Sequence, residues 1–303
     1  MNSIRKVKKA FKSRPTLEGA GVNLKRAFGF NEVPLLDPFL LLDDFHSNNP
    51  ADYIKGFPWH PHRGIETITY MLYGEVDHGD SMGNKGIIHS GDIQWMTAGS
   101  GIIHQEMPKG RKDGLMWGFQ LWANLPASHK MMDPRYRGIV QAQIPEVVTE
   151  TGASIKVICG QFGSTKGPVT DVVIAPEYLD VTVPPKSRFQ HPVKRGHTLF
   201  AYIIEGAGCF DDRSDPYAFE AFGSNYFDSK KDYLLGPEYL VMFGDGDEVV
   251  VSTRDQPVRF LLVSGKPINE PVAWYGPIVM NTQEELRIAF DEYQKGTFVK
   301  HTM

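Results

Sequence analysis

Short runs of alternating or wholly apolar residues, each closed by a turn, recur along both halves of the chain and limit what it can fold into. Residues 66–72 (Glu-Thr-Ile-Thr-Tyr-Met-Leu), 86–89 and 92–97 lie in the first half; residues 155–159, 179–183, 198–204, 249–251 and 260–263 lie in the second. Segments of this length and composition read as strands, and strands at this spacing build a sandwich or a barrel. Glycine and proline, at 30 and 21 residues, suit a chain that turns often rather than one made of long helices. The expected fold class is therefore all-β. The halves share a likeness: a run ends at Tyr73-Gly74-Glu75 and at Glu205-Gly206-Ala207, and Gly91-Asp92 and Gly246-Asp247 each lead into a further strand. Two tandem β-barrels would produce this, and 303 residues are enough for two domains. Asp133-Pro134, Gly138 and Ile144-Pro145 interrupt the pattern, which places the joint between Met131 and Glu150 and gives domains 1–140 and 141–303. A short C-terminal helix follows. Thr282 and Glu285 form a capping box, Leu286, Ala289, Phe290 and Tyr293 recur on one face, and Gly296 stands where the helix should stop.

Charge narrows the partners. The net charge of −4 offers no general attraction for nucleic acid or an anionic membrane. It is unevenly spread: residues 1–26 hold eight Lys or Arg against Glu18, and residues 205–255 hold twelve Asp or Glu against four Lys or Arg. The basic segment reads as a solvated edge strand or arm, because lysine guards an edge against pairing with other chains. No apolar run is long enough to span a bilayer, no signal-peptide core follows the basic start, and two isolated cysteines, Cys159 and Cys209, make no disulfide framework. A buried structural role is expected for both thiols, and a cytoplasmic location, or a nuclear one in a eukaryote.

The chemistry concentrates in two segments. His60 and His62 are two residues apart in an extended stretch, with Pro61 holding His60 out of the helical region. Some forty residues on, His104 and Glu106 repeat that spacing after a glycine-rich turn at Gly99-Ser100-Gly101. Two such pairs on facing strands supply four ligands of imidazole and carboxylate type. That set suits Fe, Mn, Zn, Cu or Ni better than Ca or Mg, and leaves open positions on an octahedral ion. Glu106, the anionic member, is also the candidate catalytic proton acceptor.

These segments resemble a known family. The His-Pro-His pair with Glu66 and Gly74 resembles the first cupin motif, and Gly91-Asp92 with the run from Gly99 to His104 resembles the second. Gly74 comes late, Thr97 replaces the usual proline, and His104 lies beyond its usual place; these departures are similar to one branch, the pirins. His-Pro-His-Arg-Gly (60–64), Gly-Asp-Ile-Gln-Trp-Met-Thr-Ala-Gly (91–99), Gly-Ile-Ile-His-Gln-Glu-Met-Pro (101–108) and Gly-Pro-Ile-Val-Met-Asn-Thr (276–282) are similar to pirin signatures. So are residues 37–45 and 121–126. The resemblance implies two cupin barrels, with Fe2+ in the first, held by His60, His62, His104 and Glu106. Other divalent metals, such as Mn, Cu, Ni or Zn, remain open. It implies that Glu66 is no direct ligand; Glu66 could orient a ligand imidazole from behind or pair with Arg63. Trp59 departs from the small or acidic residue expected before His-Pro-His, and would reshape the pocket mouth. The second half has no His-x-His, and His191 and His197 lack a partnered motif, so a barrel without metal is expected there.

The same resemblance implies a function. Pirins resemble quercetin 2,3-dioxygenases, which cleave a flavonol ring with O2 and release carbon monoxide, so a flavonol-like small molecule and O2 are the expected partners. The alternative is a regulatory protein without turnover, since some pirins act as transcriptional co-regulators whose affinity for a protein partner follows the iron oxidation state. A third possibility is a metal-binding cupin with another substrate.

Overall fold

β-branched and aromatic residues along Ile65–Tyr73 favour an extended chain, and this strand pairs antiparallel with Ile93–Thr97 on one side and Met116–Asn124 on the other. The computed structural model describes residues 3–213, 215, 217–222 and 233–301, so part of the acidic stretch 205–255 lies outside the described residues. The chain divides into two compact units, Arg14–Gln143 with Ile268–Met303, and Met1–Ser13 with Ile144–Pro267.

The first unit carries the histidine segments. Its seven-stranded sheet runs Arg135–Ile139, Ile93–Thr97, Ile65–Tyr73, Met116–Asn124, Phe39–Ser47, Val22–Phe28, Arg14–Glu18. Its four-stranded sheet runs Phe57–His62, Ile102–Lys109, Glu75–Asp80, Lys85–Ile88. Every neighbouring pair in both is antiparallel. Val22, Leu24, Phe45, Met71, Val76 and Met116 form a buried cluster, and removal of this apolar surface from water drives the packing. Gly64 follows directly on the His-Pro-His-Arg run with φ of 78°, and a Cβ there would fall 2.0 Å from the Val279 carbonyl oxygen. Only glycine permits both the turn and that approach.

The second unit is built on an eight-stranded sheet, in the order Glu146–Val148, Ser154–Cys159, Glu177–Val183, Val258–Gly265, Thr198–Gly206, Tyr239–Phe243, Val7–Lys12, Glu220–Phe222. A separate pair, Arg188–Pro192 and Glu248–Ser252, completes it around a core that includes Ile155, Leu179, Phe189, Val251 and Leu262. The strands expected from sequence all form, within about two residues at most ends.

Three details differ from the expectations. The units exchange the chain ends relative to a division at 1–140 and 141–303: Val7–Lys12 pairs with Tyr239–Phe243, and Ile268–Met303 belongs with the histidine segments. The basic segment is therefore not a free arm. Val7–Lys12 lies between two strands, and only Arg14–Glu18 is a sheet edge. The helix Gln283–Gln294 has its Thr282–Glu285 capping box and Gly296 at φ of 71°, but Leu286 and Ala289 pack on Ala273, Ile278, Met280 and Phe298, within the first unit. Cys159 and Cys209 are both buried. Among the described residues no helix is long and apolar enough to cross a membrane.

Candidate metal centre

Phe57–His62 is an extended strand whose prolines, Pro58 and Pro61, disfavour helix for the residues before them, so His60 and His62 project to one face. The strand lies at the edge of its sheet, where the missing proline N–H groups are tolerated. Ile102–Lys109 runs antiparallel beside it and sets His104 opposite His60. Ring centroids are 4.4 Å apart for His60 and His104, 4.8 Å for His60 and His62, and 5.0 Å for His62 and His104. One nitrogen from each ring falls within a group no more than 4.8 Å across.

Hydrogen bonds set the tautomers. A carbonyl oxygen can only accept, so His60 Nδ1, 2.8 Å from Pro58 O, and His62 Nδ1, 3.0 Å from Pro277 O, each donate a proton. Their Nε2 atoms then face each other at 3.1 Å as lone pairs that cannot bond to one another. Burial lowers the pKa of all three histidines, most in His62 and His104, where neighbouring imidazoles add to it; in His60 it outweighs the Pro58 carbonyl and the Glu106 charge. The rings are thus kept neutral. Neither nitrogen of His104, which is 1% exposed, has a hydrogen-bond partner among the described residues. Converging neutral lone pairs and an orphaned buried imidazole fit a transition-metal ion, which these three residues could hold.

Glu106 lies outside that tight group. A register shift separates it from His104, and its Oε1 accepts from Thr69 Oγ1 at 2.9 Å. It is buried and lines the same cavity as His60 and His62. Glu66 does neither of the things expected of it. Its carboxylate accepts from Thr97 Oγ1 at 2.6 Å, and burial raises its pKa against the pull of that bond and the nearby Arg137 and Arg135. Arg63 instead donates to Ser100 O at 2.7 Å and Phe298 O at 2.9 Å, and pairs with Glu292 at 2.8 Å. The His60 and His62 rings are oriented instead by the carbonyls of Pro58 and Pro277, which no side-chain pattern can reveal. In the second unit His191 Nε2 meets Glu177 at 2.7 Å.

Two of the three histidines, His60 and His62, border a cavity of about 850 Å3. His60, His62 and Glu106 stand on its wall with Phe45, Phe57, Trp59, Trp122 and Trp274. Trp122 meets His62 edge to face at 5.0 Å. Trp59 is 51% exposed. Thr69, Gln120, Trp122 and Trp274 were not anticipated; alternation counted from Ile65 and Met116 would have placed the first three on one face. Buried His78, 5.7 Å from His104 and held by Gln94 at 2.8 Å, was also missed.

Two family patterns decide the lineage: the chain matches the family described as Pirin over residues 21–123 and the Pirin C-terminal cupin domain over residues 178–299. The chain belongs to the pirin family. The first match lies wholly within the unit that carries the histidine segments, and the second runs through the other unit up to Pro267 and continues through 268–299, which belong with the first. This pirin is 42% identical over 296 residues to a pirin-like protein of Caulobacter vibrioides, covering 97% of this chain and 99% of the other. It is 41% identical over 294 residues to a pirin-like protein of Solanum lycopersicum, covering 96% and 92%. The crystal structure of quercetin 2,3-dioxygenase from Acinetobacter baumannii superposes with a TM-score of 0.84 at 31% identity, over 98% of this chain and 99% of that one.

Proposed function

We propose that this pirin is an iron-dependent dioxygenase that opens the ring of a quercetin-like flavonol with O2 and releases carbon monoxide, with His60, His62, His104 and Glu106 as the iron ligands. The observation that carries the reading is the convergence of neutral imidazole nitrogens on the wall of a cavity of about 850 Å3 faced with tryptophan and phenylalanine. The solved relative named a quercetin 2,3-dioxygenase supports it. Iron bound here supplies a Lewis acid for the substrate oxygen and a redox partner for O2.

The chain's own residues do the rest. Trp122 and Trp274, 5.8 Å apart, border the space a planar ring system enters. Aromatic faces exclude water and favour stacking. Glu106 takes the proton of the flavonol 3-hydroxyl, with the Thr69 hydroxyl fixing one of its oxygens. The carbonyls of Pro58 and Pro277 hold the imidazoles of His60 and His62 against rotation.

The test is O2 uptake by anaerobically iron-loaded protein on addition of quercetin, with carbon monoxide measured in the headspace and His60→Ala as the control. Uptake with carbon monoxide that disappears in the control is expected. No uptake by protein shown to hold one iron would remove the flavonol reading.

A further inference from the structure

One wall of the cavity is polar, and sheet register explains how. Thr69 is the cross-strand partner of Gln120, Gln120 of Asp43, and Asp43 of Arg26, on four successive strands. Directly paired residues share a face, so the four form one row, and all of them line the cavity. Three steps between strands span about 14 Å along the sheet. Thr69 bonds Glu106 at one end. At the other, Arg26 binds Asp43 through Nε at 2.8 Å and Nη2 at 2.7 Å, and Glu18 through Nη1 at 2.9 Å. Burial works against the Arg26 charge, but the two carboxylates outweigh it and keep the guanidinium protonated.

Burial raises the pKa of the Asp43 carboxyl to about 6 against the pull of Arg26, so above that pH the cluster holds one cation and two anions, a net charge of −1, and most of the guanidinium's donors are already taken. Asp43 and Glu18 line the cavity, and carboxylate oxygens accept hydrogen bonds and repel anions. Resting on the flavonol reading above, we propose that Arg26, Asp43 and Glu18 read the end of the substrate farthest from the metal, selecting an outer ring that carries neutral phenolic hydroxyls and rejecting one that carries an anionic group. A substrate that bridges from Glu106 to Arg26 along this row is an elongated fused aromatic with oxygens at both ends. The apolar remainder of the wall gives a shorter or unhydroxylated ring no such anchor.

The experiment measures binding apart from turnover. Anaerobic iron-loaded protein is titrated with 3-hydroxyflavone, quercetin and a sulfonated quercetin, read by quenching of protein fluorescence, for which Trp122 and Trp274 lie in the cavity wall. Quercetin should bind about tenfold tighter than 3-hydroxyflavone, the size expected for hydrogen bonds to charged acceptors, and the sulfonated form at least about tenfold weaker than quercetin. In an Arg26→Gln/Asp43→Asn double variant both preferences should shrink to about twofold while 3-hydroxyflavone binding persists. Glu18→Gln, a change at a half-exposed position, should strengthen binding of the sulfonated probe relative to quercetin several-fold and decides the matter if the double variant does not fold. Equal binding of the three probes by the unmodified protein, no binding of any, or unchanged preference in the folded variants overturns the inference. Admitting air separates the two readings: selective binding without O2 uptake sinks only the dioxygenase, and uptake without selectivity sinks only the recognition by this cluster.

Discussion

Two imidazole lone pairs 3.1 Å apart inside a protein are costly unless a cation lies between them, and the Nδ1 bonds to Pro58 and Pro277 leave neither ring free to turn away. Glu106 stands apart from that constraint, because the Thr69 hydroxyl, not a histidine, holds it. Its role is therefore separable from retention of the metal. Glu106→Gln should lower kcat by roughly 10²–10⁴-fold, the usual range for losing a general base, while iron content measured by mass spectrometry of the metal falls less than about twofold. Thr69→Val should lower kcat by about tenfold with metal content unchanged. Equal loss of metal and turnover in Glu106→Gln would make Glu106 a ligand only. The grouping of His60, His62 and His104 was legible because two-residue spacing on extended chain and a facing strand are geometric statements, whereas the register shift after His104 that sets Glu106 apart is not written in the spacing. The outcome for Glu66 was legible too: it is an odd number of residues from Thr69, so it points to the opposite face of the strand Ile65–Tyr73, towards Thr97. The row from Thr69 to Arg26 was not, because it exists only through registers between strands distant in sequence.

Alternation and turn residues located the strands well, since both act within a few residues of where they are read. Placement within a sheet follows other rules. Basic residues made residues 1–26 look like an edge, yet Val7–Lys12 is a paired strand whose Val7 and Ala10 are buried while Lys8 and Lys12 stay exposed. Asp211 explains part of its capture. The Asp211 carboxylate accepts from Val7 N at 2.9 Å and pairs with Arg213. Burial pushes its pKa up, but these bonds win and hold it at about 2. A carboxyl with a folded pKa below its ordinary value adds stability above the unfolded pKa and loses it as pH falls towards the folded one. The unit containing Val7–Lys12 should therefore lose stability between about pH 4 and pH 2. Asp211→Asn should lower its melting temperature by about 2–4 °C at pH 7, as expected for a loss near 1 kcal/mol, and flatten that acid-side slope. Calorimetry across this range checks both, and a mutant that keeps the slope would assign it to other carboxylates.

At the scale of the whole chain the exchange of ends carries a consequence that no ligand motif contains. All four proposed ligands precede residue 110, so a chain ending at Pro267 would keep them. It would nevertheless lose the Pro277 carbonyl that holds His62, the Trp274 wall of the cavity, and the Phe298 and Glu292 partners of buried Arg63, which sits beside His62. Arg63 would then be a buried cation left with the Ser100 carbonyl and without its acid, a change that typically costs several kcal/mol. Truncation after Pro267 should lower metal affinity by about 10–100-fold, the range seen when the groups behind metal ligands are removed, and lower the melting temperature of the metal-bearing unit. Removing residues 1–13 is the matched control. It deletes the strand Val7–Lys12 from the other unit and leaves every residue of the unit Arg14–Gln143 with Ile268–Met303 in the chain. That variant should keep its metal affinity within about twofold and lose stability in the unit that contains Tyr239–Phe243. Competition with a chelator measures the affinity, and two resolved unfolding transitions measure the stability. Loss of metal in the N-terminal truncation with retention in the C-terminal one would reverse the assignment of the chain ends. Such a result would also leave the Pro277 carbonyl without a part in holding His62.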